Sequence, residues 1–149
     1  MNILQDLYTL YEQDYVQWCE ATVAQLQAGD LTHLDLDHLT EEIDSLGKRD
    51  RRELKSRLIV LLAHLLKRIY VDSPEDFNGW ELTIREQRRQ IQDLLDDSPS
   101  LKSYVGEIFD RCYENAIADV RLEYTQAPFP NTLSFDGNIE GLLSKQYWT

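Results

Sequence analysis

The chain of 149 residues is poor in the residue types that interrupt helices or cross-link a fold, with six glycines, four prolines and two cysteines. So few glycines and prolines give no sign of disorder. Cys19 and Cys112 lack the paired spacing of a zinc site or redox motif, so both are interpreted as reduced thiols of a cytoplasmic protein. The sequence contains no glycine-rich loop that could bind a phosphate and no dinucleotide-binding fingerprint. Nucleotide-dependent chemistry is therefore disfavoured, and no cofactor is expected.

The sequence also lacks an apolar run that could cross a bilayer. The longest run, from Leu58 to Leu66, is short and is interrupted by His64. The N-terminus has neither the basic nor the apolar region of a signal peptide. The length of the whole chain is that of one ordinary domain. Residues 1–149 are therefore predicted to form a single cytoplasmic domain with no membrane partner.

Lysine and arginine are absent from the first 47 residues, which contain ten aspartates and glutamates. The whole chain has a net charge of -12. Because affinity for phosphate backbones comes from Lys and Arg, nucleic acid is not expected as the main partner. Six basic residues then fall between Lys48 and Arg57, and they predict a solvated basic face on a helix.

Apolar residues recur at helical spacing along most of the chain. From Tyr8 to Leu26 they predict a first amphipathic helix, with Asp6 as its N-cap and Gly29 as its end. A second stripe predicts one long helix from about Leu36 to Val71, capped by Asp35 or Asp37, with a kink around Gly47 as the alternative. The two stripes assigned to the core include Tyr8, Tyr15, Trp18, Cys19, Val23 and Leu26, and then Leu39, Ile43, Leu46, Leu54, Leu58, Leu61 and Leu65.

The second half of the chain predicts two more long helices. The segment DSPEDFNG is predicted to be a loop, and a third helix follows from Trp80 to Asp96 or Asp97. Ser98 and Pro99 form a start signal for a fourth helix, which ends at QAPFPN. A tail with Leu133 and Phe135 leads to a short helix around Ile139 to Ser144. The predicted fold is all-α, an up-and-down bundle of four main helices with one long central helix and a short C-terminal helical tail.

Five ordered segments, LYEQDYVQW, LTEEIDSLGKRDRRELKSRL, LLAHLLK, TIREQRRQI and SPSLKSYV, are similar to the bacterial domain of unknown function 29 family. The resemblance covers about Leu7 to Pro130. The tail fits the family more loosely, because Leu133 and Ser134 stand where a Cys-Pro pair is associated with the family. The resemblance implies a small helical protein and supplies no biochemical activity.

The first candidate site is the pair Arg57 and His64, seven residues apart on the long helix. On a wheel of about 100° per residue, His64 points about 130° away from the leucine stripe, onto a mixed face with Arg57. Imidazole titrates near neutral pH and can act as acid, base or metal ligand. The spacing resembles the short signature of the helical HEPN ribonucleases, except that Leu58 follows the arginine. The alternative interpretation is a packing histidine.

A second candidate is acidic, with Asp14 and Glu42 as possible convergent groups if the first two helices pack antiparallel. With His64 they define a metal-dependent helical-bundle enzyme as a third hypothesis, although the Glu-x-x-His pairs of such enzymes are absent and no metal ligand is assigned. The alternative roles of these acids are helix capping, ion pairing or exposure to solvent.

The third candidate is the segment REQRRQ, in which one of Arg85, Arg88 and Arg89 is expected to turn inward as an ion-pair partner of Glu42 or Asp14. Arg85 is the candidate binding residue of this segment. Trp80 on the same helix is the aromatic candidate for binding, and alternatively covers His64. Because no complete catalytic set is present, the leading hypothesis is a non-catalytic interaction or regulatory module that binds a protein partner or a second copy of itself. A metal-independent ribonuclease using Arg57 and His64 is the alternative.

Overall fold

The computed structural model describes residues 3–131 and 138–149, and for residues 3–6 the backbone alone. Leu133, Ser134 and Phe135 lie outside the described residues. The described segments contain six helices and no strand, which confirms the all-α prediction. The helices are α1 (Ile3–Gln13), α2 (Tyr15–Gln27), α3 (Leu36–Tyr70), α4 (Pro74–Asp97), α5 (Leu101–Glu123) and α6 (Ile139–Ser144).

The chain divides into two compact units, Met1–Arg49 and Asp50–Thr149. The N-terminal unit contains α1, α2 and the first part of α3, and the C-terminal unit contains the rest of α3 with α4, α5 and α6. The single-domain expectation stays a prediction. No helix in the described part of the chain has the length and apolar content required to cross a membrane.

The predicted first helix is wrong in one respect, because the structure has two helices where the sequence predicted one. The break falls at Asp14, whose extended backbone ends α1 and whose carboxylate accepts a hydrogen bond from the backbone N–H of Gln17 at 3.1 Å. Asp14 is thus the N-cap of α2, a position that favours Asp because its oxygen satisfies an otherwise unpaired amide. Asp6 lies inside α1 and is not a cap. Gly29 follows the end of α2 with φ of +75°, which suits glycine.

The long central helix is confirmed, since α3 continues through Gly47 for 35 residues. Its N-cap is Asp35, one of the two predicted alternatives, and Asp35 Oδ1 accepts the backbone N–H of His38 at 3.3 Å. Asp37 instead lies in the first turn of the helix and is exposed.

The loop predicted before the third helix is wrong, because α4 begins at Pro74 and includes most of that segment. Proline fits the first helical position, where its missing N–H costs nothing. Glu75 and Asp76 then place negative charge near the positive end of the helix dipole. The end of α4 at Asp97 and the short α6 agree with the predictions, whereas α5 begins at Leu101, two residues after Pro99.

The core of the C-terminal unit is built on the second half of α3. Leu58, Leu61 and Leu65 are completely buried, as the leucine stripe predicted. They pack with apolar side chains of α4, α5 and α6, including Ile91, Val105, Cys112, Ala116, Val120 and Leu142. Burial raises the pKa of the Cys112 thiol, and both cysteines are free.

Candidate functional site

The N-terminal unit contains a set of polar side chains of which the sequence predicted only Glu42 as a site residue. At its centre is the carboxylate of Asp35, which is 4% exposed. Besides capping α3, Asp35 Oδ2 accepts hydrogen bonds from the indole Nε1 of Trp18 at 3.1 Å and from Nδ1 of His38 at 2.6 Å. A carboxylate only accepts, so Nδ1 of His38 carries a proton and its tautomer is fixed by Asp35.

Three aromatic rings lie close to the His38 imidazole. The ring of Tyr11 stacks on it with centroids 3.9 Å apart and planes 11° apart, and the ring of Tyr8 lies 4.4 Å away at 38°. The ring of Trp18 lies perpendicular to the imidazole, with centroids 6.5 Å apart. His38 is consequently buried, although it belongs to the first turn of α3.

Glu42, one turn further along α3, accepts hydrogen bonds from two tyrosines. The hydroxyl of Tyr11 donates to Oε1, and the hydroxyl of Tyr15 donates to Oε2 at 2.6 Å. These bonds stabilise the ionised carboxylate and lower the pKa of Glu42 below its ordinary value. The same bonds raise the pKa of Tyr11 to about 12, and they raise the pKa of Tyr15 as well.

These side chains form one connected group, the polar centre, made of Tyr11, Tyr15, Trp18, Asp35, His38 and Glu42. An Asp that holds a His by Nδ1 is an arrangement that supports acid–base chemistry in enzymes. Here His38 is 6% exposed and the rings of two tyrosines lie against its imidazole, so the ring is not presented to a substrate. The polar centre instead joins α1 and α2 to the start of α3 through charge-assisted hydrogen bonds.

The two acidic candidates, Asp14 and Glu42, have different surroundings in the structure. Glu42 belongs to the polar centre, and its partners are tyrosines. Asp14 is exposed and caps α2. The third member of that hypothesis, His64, belongs to the C-terminal unit. Among the described residues, no three His, Cys, Asp or Glu side chains come together as a group that could hold a metal ion.

Arg57 and His64 have separate partners in the C-terminal unit. Arg57 donates to Glu53 Oε1 at 3.0 Å and to Gln87 Oε1 at 3.3 Å, beside a shallow cavity of about 270 Å³. His64 is half-buried, and its Nδ1 donates to the Val60 carbonyl one turn back at 2.8 Å. Burial lowers the pKa of His64, which favours the neutral ring. Both side chains thus bond to neighbouring protein groups, and the two share none of these partners.

Trp80 is buried in the C-terminal unit rather than presented to a ligand. Its ring lies 6.0 Å from the rings of Phe77 and Tyr124, and the ammonium of Lys67 lies 5.6 Å from its centroid. Lys67 also pairs with Glu123 at 3.7 Å. Lys67 is therefore a buried cation held by an aromatic ring and a carboxylate.

Arg85 is exposed and borders a cavity of about 330 Å³ that Trp148 also lines. The arginine of this segment that turns inward is Arg88, and its partners are backbone carbonyls. Its Nε donates to the Leu142 carbonyl at 2.7 Å, and its Nη2 donates to the Lys145 carbonyl at 2.6 Å. Arg88 thus fastens the C-terminal segment to α4.

The fold and the polar centre define a small all-α protein with an acidic N-terminal unit. The family model "Domain of unknown function DUF29" matches residues 10–148, so the chain belongs to this family, as the five sequence segments indicated. No curated protein and no solved structure matches the chain. Family membership therefore supports the fold, and function has to be argued from the molecule itself.

The tyrosine–glutamate bonds predict an alkaline titration that can be measured. Replacing Tyr11 with Phe should remove a phenol that ionises at about 12 rather than at the ordinary 10.0, as followed by ultraviolet absorbance. Because the pKa is raised in the folded state, the stabilisation is complete below pH 10 and is lost as the pH rises toward 12. In Glu42→Gln the Tyr11 midpoint should move back toward 10; an unchanged midpoint would contradict the assigned partner.

Proposed function

We propose that this protein is a non-catalytic interaction module in the cytoplasm, and that its N-terminal unit binds a protein partner. The proposal rests on the uneven distribution of exposed apolar side chains along the chain. Of eleven large apolar side chains that are strongly exposed in the described part of the chain, nine lie between Tyr8 and Leu46. This unit is about a third of the sequence, yet it contains most of the exposed apolar groups.

Exposure of this kind is costly and therefore informative. Removing apolar surface from water stabilises a protein by about 25 cal/mol per Å². Single exposed leucines are ordinary, whereas a concentration of them in one unit is typical of binding surfaces. The exposed side chains include Val23, Leu26, Ile43 and Leu46, which the sequence assigned to the core. Both helices thus have the predicted apolar stripes, but these four side chains are exposed in the described part of the chain.

The charge of the unit indicates the chemistry of its partner. Residues 1–47 have ten acidic side chains and no Lys or Arg. A surface of one sign favours partners of the opposite sign, because complementary charge speeds encounter and excludes partners with like charge. The proposed partner therefore presents basic side chains around apolar ones. The free thiols of Cys19 and Cys112 support a reducing compartment as the place of action.

Site-specific photo-crosslinking in the native cells tests this proposal. A photoreactive amino acid at position 16 or 43 should form a crosslink to the same protein, whereas one at the exposed control position Leu122 should not. The purified partner should then bind the wild-type chain and bind Ile43→Asp at least about tenfold more weakly, because a charge replaces an apolar contact. Absence of a crosslink from both N-terminal positions, or equal binding by Ile43→Asp, would contradict the proposal.

A further inference from the structure

Two exposed apolar stripes in the N-terminal unit have the same spacing. On α2 the stripe is Val16, Cys19, Val23 and Leu26. On α3 it is Leu36, Leu39, Ile43 and Leu46, again with steps of three and four residues. Six of these eight side chains are between 43% and 65% exposed, and Cys19 and Leu39 are half-buried. Spacing of this kind aligns side chains along one face of a helix.

The contacts of the polar centre give the relative direction of these two helical segments within the unit. Tyr15 bonds Glu42, while Trp18, one turn later on α2, lies beside His38, one turn earlier on α3. Residues with increasing numbers along α2 therefore contact residues with decreasing numbers along α3. The two segments run antiparallel.

The stripes adjoin each other on one side of this antiparallel pair. At about 100° per residue, each stripe is centred on the order of 90° from its helix's inward side chains, in the same rotational sense. The inward side chains are Trp18 and Thr22 on α2 and His38 and Glu42 on α3. Equal rotations about antiparallel axes point to the same side of the pair. Together the two stripes form what we call the apolar face.

We propose that the apolar face binds one basic amphipathic helix of a partner protein, an inference that rests on the proposed interaction role. Two parallel rows of apolar side chains leave a groove between them, and a third helix fills such a groove with anchors at i, i+3 or i+4, and i+7. Ordering of α2 and α3 by the polar centre holds the groove in its binding form before the partner arrives. Pre-organisation lowers the entropy cost of binding.

Charge and size both favour this occupant over a second copy of the chain. Exposed acids such as Glu20 and Asp44 lie outside the stripes, and two copies would bring N-terminal units of the same sign together. The apolar face is about 15 Å long, given roughly 1.5 Å per residue over ten residues, and about 20 Å wide across two helices. About 300 Å² is well below the ~800 Å² per partner of a stable standard interface. The length of the apolar face, about 15 Å, matches three turns of one helix.

Model peptides test the inference directly on the full chain. A labelled peptide of about sixteen residues, made of leucine and lysine in an amphipathic helical pattern, should bind the chain, as followed by fluorescence anisotropy. Its affinity should fall with added salt, because acidic side chains attract it. A leucine–glutamate peptide of the same pattern, and a peptide with the same composition but scattered leucines, should each bind at least about tenfold more weakly.

Variants on each helix locate the binding surface. Ile43→Asp on α3 and Val23→Asp on α2 should each weaken peptide binding about tenfold or more, while Leu122→Asp, with the same change in charge, should not. All three positions are exposed, and circular dichroism checks that each variant keeps its helix content. Equal binding of the acidic or scattered peptide, or wild-type affinity in both Ile43→Asp and Val23→Asp, would overturn the inference.

The competing occupant has its own signature. If sedimentation shows a dimer that Ile43→Asp dissociates, the second copy occupies the apolar face and the inference is wrong. This result is distinguishable from failure of the proposed function. A partner crosslinked from position 43 that presents no basic helix would contradict the inference alone, whereas no crosslink would contradict the interaction role itself.

Discussion

Replacing Leu61 or Leu65 with alanine is expected to lower the free energy of unfolding by about 2 to 5 kcal/mol each. Both side chains are completely buried in the second half of α3, within the core of the C-terminal unit. Each substitution removes three carbon atoms from an interior without spare volume, so the cost includes the lost apolar transfer and the cavity that remains. A loss of this size is a large fraction of the stability of an ordinary domain.

Urea unfolding followed by circular dichroism measures these losses. Leu122→Ala is the matched control, because it removes the same atoms from an α5 side chain that is 83% exposed. The control should change the free energy of unfolding by less than about 0.5 kcal/mol. If both core variants cost under roughly 1 kcal/mol, the leucine stripe would not be the core of this unit.

The sequence predicted this part of the fold because periodicity and burial agree there. From Leu54 to Leu66 the leucines form one broad apolar side of the helix, and any packing must bury it. The wheel also placed His64 correctly on the less buried side. Its nearest partner is the Val60 carbonyl, a contact that helical geometry allows at a spacing of four residues.

The helical periodicity predicted the wrong burial where it identified an apolar face of a helix but not the neighbour that would cover it. Ile43 and Leu46 continue the leucine pattern of α3, yet they are exposed, as are Val23 and Leu26 on α2. A stripe shows that one side of a helix is apolar, but whether that side is buried depends on its neighbours, including those supplied by another molecule. The same ambiguity makes these residues informative about binding.

Two boundaries were missed because a local signal was outweighed by a longer pattern. The spacing of Tyr8, Tyr11, Tyr15 and Trp18 runs through Asp14, although Asp followed by a helical segment is itself a capping signal. At Pro74, the turn-forming residues Ser73 and Asn78 obscured a proline followed by two acids, which is a typical helix start.

The sequence predicted only Glu42 of the polar centre as a site residue, because buried polar groups follow no hydrophobic period. Asp35 is predicted only as a helix cap, and His38 is not among the candidate residues that the sequence indicates. One signal was available, since an N-cap Asp and the residue three positions later bring their side chains and backbone close together. The partners from α1 and α2 depend on tertiary packing that the spacing of Asp35 and His38 does not reveal.

Asp35→Ala is expected to destabilise the N-terminal unit by about 3 kcal/mol or more. The change removes the N-cap of α3, a loss of about 1 kcal/mol by itself. It also leaves the indole N–H of Trp18 and Nδ1 of His38 without their acceptor, and a buried donor without a partner costs about 1 to 3 kcal/mol. These contributions belong to one network, so their total is smaller than the sum of separate losses.

Native-state hydrogen exchange can locate this loss. In Asp35→Ala, protection of backbone amides should fall in α2 and in the first turns of α3, whereas amides of the buried part of α5 should keep their protection. Asp37→Ala is the matched control, because it removes the same charge from the same helical turn at an exposed position. Equal effects of the two substitutions would assign the stabilisation to the helix dipole alone. A larger effect of Asp35→Ala would establish that its bonds to Trp18 and His38 hold the polar centre together, and with it the scaffold of the apolar face.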